Sequence, residues 1–151
     1  MKYELVTSDT VTQDGHTLYR VRRLSDGLLG GYVESQANLS QTGACFLYDK
    51  SRAFGAAQIL EDAQVYGLVF DSAVVSGSAT IYGQVFGNAK VTGDASVRGQ
   101  VYDNAVVQDQ AEVSGQAFGN AVVAEYAKVF GQIYGDARAA DHMIIYGSLG
   151  G

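Results

Sequence analysis

Residues 89–105 read AKVTGDASVRGQVYDNA. An alanine, a valine two positions on and a glycine two after that (Ala89, Val91, Gly93) are followed at once by a second such trio, Ala95, Val97 and Gly99. Small or aliphatic residues at alternate positions separate an inward side from an outward one, the periodicity of a strand. A helix needs a period of about 3.6 and is disfavoured by this much glycine and valine. One three-residue strand cannot bury its apolar side alone, so such units must stack, each column of the sequence becoming a ladder along a solenoid axis.

Working outward, the chain superposes on itself at a shift of sixteen residues, and a period of that kind outranks any local strand assignment. Ala63, Ala79, Ala95, Ala111, Ala127 and Met143 share one column, and Val65, Ile81, Val97, Val113, Val129 and Ile145 a second. Gly67, Gly83, Gly99, Gly115, Gly131 and Gly147 form a third. Leu47, Ala53, Ile59 and Val65 keep an even step of six, but from Val65 onward each coil drops two residues at one corner, as at Tyr82-Gly83-Gln84. The section is then either a lopsided triangle or a flattened coil in which residues 79–85 form one straight strand. The expected fold is all-β, a single-stranded parallel β-helix with an N-terminal β-hairpin cap. The cap is placed at 1–28 and the β-helix at 29–151, together one structural domain.

The six-residue step, with a small residue two before an aliphatic one, resembles the hexapeptide repeat of left-handed parallel β-helices, the superfamily of many acyltransferases and the gamma-class carbonic anhydrases. That resemblance implies a left-handed coil. A narrower one lies upstream in LGGYVESQANLSQTGACFLYDKSRAFG, residues 29–55. Gly30, Gly31, Val33, Glu34, Leu39, Ser40, Gly43, Cys45, Tyr48 and Asp49 match the opening pattern of the YdcK-like bacterial and phage hexapeptide-repeat proteins. Tyr32 and Phe46 replace tryptophans of that pattern, and Ala44 replaces an acidic residue. Some members carry a transferase label, which the shared fold explains more readily than any residue found here.

Residues 1–28 break the repeat. YELVTSD and HTLYRVRRL read as strands joined through the turn-forming QDGH, a hairpin that would cover the core's end and its unpaired strand edge. At the other end MIIYGSLGG stops within a coil, where another copy or a partner is expected to cover it. The formal charge of −6 argues against binding a phosphate backbone or anionic membrane by charge, and its whole excess lies in residues 31–151. No apolar run approaches the roughly 20 residues that span a bilayer. With Cys45 the only cysteine, no internal disulfide or thiolate cluster forms, and a cytoplasmic location is expected.

Chemistry-bearing residues are sparse. Hexapeptide acyltransferases generally use a histidine base at a subunit junction, and this chain has only His16, in the hairpin turn and read as solvated, and His142, beside Asp141. Two histidines cannot supply the three of a gamma-class carbonic anhydrase zinc site, and no other ligand spacing appears. Asp71, Asp94, Asp103, Asp109, Glu112 and Glu125 read as solvated surface, scattered over turns and outward positions. Gln84, Gln100, Gln116 and Gln132, with Asn88, Asn104 and Asn120, predict side-chain amide ladders.

Three columns exceed what a core requires. Phe70, Phe86, Tyr102, Phe118 and Tyr134 should stack along an outer corner, beside an outward row containing Val106 and Val122. Tyr66, Tyr82, Phe130 and Tyr146 form a broken further row. An exposed apolar strip of such length marks an interface. The expected function is a non-catalytic, self-associating scaffold or binding module, a homo-oligomer joined through Phe70, Phe86, Tyr102, Val106, Phe118, Val122 and Tyr134. It would need no cofactor or metal and bind neither nucleic acid nor membrane. The alternatives are an acyltransferase with His142 as inter-subunit base, and a binder of a small ligand in inter-subunit clefts.

Overall fold

A computed structural model describes all residues from Met1 to Gly151. From Phe46 to Ala139 each coil contributes three two-residue strands, and stacking them in register produces three parallel sheets. In the coil that opens at residue 80 these are Thr80–Ile81, Gln84–Val85 and Lys90–Val91. The first residue of each pair points to solvent and the second is fully buried. The sequence-level choice between sections is thereby decided: residues 79–85 are bent at Tyr82-Gly83 and their two strands lie in different sheets, so the section is a lopsided triangle.

The register of pairing carries the repeat. Leu47 pairs with Val65, eighteen residues on, whereas Val65 pairs with Ile81 and Ile81 with Val97, each sixteen on. The two missing residues come from one corner, which narrows from Tyr48–Ser51 in the first coil to Tyr66-Gly67 in the next. There the chain turns so tightly that the amides of Tyr82 and Gly83 both donate to the carbonyl of Val97, at 2.8 and 3.1 Å. A Cβ on Gly99 would lie 1.8 Å from the Gly115 carbonyl oxygen, so from Gly67 to Gly131 this column admits no side chain.

The other two corners turn through a left-handed residue in every coil, with φ between 55° and 68°. One column holds Gly55, Asp71, Gly87, Asp103, Gly119 and Gly135, the other Glu61, Gly77, Gly93, Asp109, Glu125 and Asp141. The acidic members are exposed at turns, as the sequence suggested, but several of them also make bonds between coils. Asp71, Asp103, Asp109 and Glu125 each accept the backbone N–H of the same position one coil on, at 3.0 to 3.1 Å, which compensates the steric cost of a side chain there.

The N-terminal hairpin consists of β1 (Tyr3–Gln13) and β2 (His16–Arg23), longer at its tip than the sequence pattern suggested. Asp14 and Gly15 both have positive φ, the two-residue turn whose twist suits a hairpin. β2 pairs antiparallel with β3 (Leu29–Val33), and β3 pairs parallel with Arg52–Ala53, so the hairpin extends one sheet to ten strands. The other two sheets have seven and six. One apolar core of 35 buried residues runs through the molecule and includes Tyr3 and Val21, so the hairpin closes the core's end as well as its strand edge.

Substituting alanine within the glycine column should separate packing from chain entropy. Gly99→Ala is expected to cost about 3 kcal/mol or more through backbone collision. Gly147→Ala, where an added Cβ meets nothing within 4 Å, should change stability by less than about 0.5 kcal/mol. Urea unfolding midpoints of the two variants against the parent measure the difference.

Candidate functional site

The residues matching the upstream motif surround the junction of hairpin and solenoid, and several have a packing or hydrogen-bonding task there. A Cβ on Gly30 or Gly31 would strike the carbonyls of Leu47 or Ser51 at 2.4 and 2.3 Å. Buried Asn38, a residue the sequence reading passed over, accepts from the amides of Glu34 and Ser35 and donates to the carbonyls of Gly55 and Ala57. Cys45 is buried, with the Lys2 ammonium 3.2 Å from Sγ and bonded to the Cys45 carbonyl.

His16 is not the solvated turn residue expected. Its Nδ1 lies 2.8 Å from Glu34 Oε2, and its ring packs on Phe54 at 5.2 Å. Glu34 Oε1 accepts the Gly55 amide at 2.9 Å. The hydrogen bond from His16 holds the Glu34 carboxyl below its ordinary value, opposed by desolvation and aided by the Gly55 amide. A depressed carboxyl pKa contributes stability above the ordinary carboxylate range and loses it as the pH falls.

His142 does not assemble with Asp141 into a base. Its ring is exposed and stacks on Tyr126 at 5.0 Å, and neither ring nitrogen has a hydrogen-bond partner in the chain. The Asp141 amide is instead bound by Glu125. No pocket opens on the molecule, and no three His, Cys, Asp or Glu side chains converge as metal ligands would.

The predicted ladders form. Phe54, Phe70, Phe86, Tyr102, Phe118 and Tyr134 stack at centroid distances of 4.9 to 5.3 Å with planes within 14°. Each ring covers the faces of its neighbours, so Phe70, Phe86, Tyr102 and Phe118 are half-buried and only Tyr134 is well exposed. Val106 and Val122 lie side by side, half-buried, with Lys90 and Arg138 on the flanking rungs. The glutamines from Gln84 to Gln132 join amide to amide at 3.0 to 3.2 Å. Asn88, Asn104 and Asn120 do so at 3.3 to 3.4 Å and end on Asp136.

The barest apolar surface lies elsewhere, on and beside the seven-stranded sheet. Tyr146 is 76% exposed, Tyr126 54%, Ile144 50% and Phe130 48%. Tyr66 stacks on Tyr82 at 5.1 Å, and Phe130 on Tyr146 at 5.3 Å. In the break between them stands Arg98, whose guanidinium covers the Tyr82 ring at 5.4 Å. The sixteen-residue column already contained that arginine at an aromatic position. No helix is long and apolar enough to cross a membrane. No known protein family matches the chain, and no curated protein shows significant similarity to it. What geometry defines is therefore a class: a three-sided parallel β-solenoid with one hairpin-capped end and no cavity.

Tyr3 makes the cap's docking readable in solution. Its buried hydroxyl donates to the Leu39 carbonyl, and burial, with a smaller contribution from Cys45, pushes its pKa up to about 12 from 10.0. A raised acid pKa means stability fully present below pH 10 and lost as the pH rises towards 12. The parent should lose about 2 to 3 kcal/mol over that interval through this group. Tyr3→Phe should lack that component, and denaturant titrations of both proteins across the interval check it.

Proposed function

We propose that the protein is a non-catalytic, self-associating scaffold, a rigid rod that presents side chains at fixed spacing rather than enclosing a substrate. The observation that carries this reading is the combination of a pocketless body with large apolar side chains left in solvent along its corners, Tyr126, Phe130 and Tyr146 foremost. Exposed patches of this kind favour association.

Within this proposal the coils are of the hexapeptide-repeat type, supported by strand steps of six, six and four. A place beside the YdcK-like bacterial and phage proteins is supported by the motif of residues 29–55, whose matched positions build the first coil. The lone reduced Cys45 agrees with a cytoplasmic location.

Light scattering on the purified protein tests the scaffold reading. A defined multiple of 16.0 kDa is expected over micromolar concentrations; a persistent 16.0 kDa species would overturn it.

A further inference from the structure

We propose that the seven-stranded sheet is the self-association surface and that it pairs with the same sheet of a second copy, the two rods running antiparallel. The inference rests on the self-association reading and assigns its surface and partner. Its basis is the charge order of one ladder. From Gln64 the outward rungs read Gln64, Thr80, Ser96, Glu112, Lys128 and Ile144, so the only two charges are opposite in sign and adjacent.

Two such faces can meet about a two-fold axis in the plane of the sheet and parallel to its strands. That operation sets each corner column against itself and inverts the order of rungs. With the axis between the Glu112 and Lys128 rungs, Glu112 of each copy faces Lys128 of the other. Shifting the axis onto either rung sets like charge against like, and shifting it further in either direction leaves both charges without a charged counterpart, so charge pairing selects this register.

The flanking columns obey the same register without further adjustment. One rung out from the Glu112–Lys128 step at each end, Asp94 meets His142 on one side and Arg98 meets Tyr146 on the other, a carboxylate against an imidazole and a guanidinium against an aromatic ring. All four of these side chains are exposed. The valine row fails the corresponding operation: an axis between Val106 and Val122 brings Lys90 against Arg138, two like charges.

Charge exchange tests the pairing. Glu112 and Lys128 are 3.8 Å apart within one chain, on the surface, where such a pair contributes little to folding, so the variants should melt with the parent. The parent should sediment and scatter as a dimer, twice 16.0 kDa. Lys128→Glu should weaken dimerisation by about tenfold or more, and adding Glu112→Lys to it should restore the parent affinity. Raised salt should weaken the parent dimer, since facing charges at a rim are screened. A Lys128→Glu protein that dimerises like the parent, or a double exchange that fails to restore, would overturn the pairing. An oligomer dissociated by Val122→Glu and not by Lys128→Glu would overturn it while leaving self-association intact, whereas a monomeric parent removes both.

Discussion

The structure depends on one crowded corner. Where the chain passes from the seven-stranded to the ten-stranded sheet, a single carbonyl accepts two consecutive amides, and the backbone of one coil lies against the carbonyl of the next with no space for a Cβ. Buried backbone groups must be paired, so this shared acceptor lets the corner shed two residues without orphaning a donor. The loss shortens each coil from eighteen residues to sixteen and thereby sets which side chains meet along the axis. Every ladder in the molecule inherits its rungs from that spacing.

Once the spacing is constant, identical chemistry accumulates. Rings fall about 5 Å apart and nearly parallel, and side-chain amides bond to their copies above and below. Carboxylates at left-handed corner positions reach the next coil's amide. Each contact is worth little singly, but the columns make them collective, and stacking also conceals the faces of the aromatic rings. Ladder formation therefore uses up much of the apolar surface that the phenylalanine column suggested would be free for a partner. What stays in solvent is the column broken by Arg98 and Ser114, and the last coils, where Ile144 replaces the polar residues of earlier rungs.

The upstream motif takes on a structural meaning in the same way. Paired glycines, a capping asparagine, a buried cysteine and a glutamate bridging His16 to the Gly55 amide are what a β-hairpin requires to close a solenoid at its wide first coil. A motif concentrated in such a segment reflects how the hairpin meets the solenoid. It is silent about reaction chemistry, since the side chains of that segment are spent on packing and on backbone partners.

Strand periodicity, the sixteen-residue coil, the hairpin and the amide ladders were all legible from the sequence, because each follows from alternation and from residues recurring at a fixed interval. Three things were decided only in the folded molecule. Whether the short corner bends depended on hydrogen bonds between coils. The fate of His16 and of the corner carboxylates depended on partners sixteen to twenty-one residues away, found only when coils stack. Which aromatic column stays exposed depended on mutual shielding along the axis. Periodicity is a property of neighbours in the chain and can be read one residue at a time; shielding and pairing belong to neighbours in space and exist only once the stack is built.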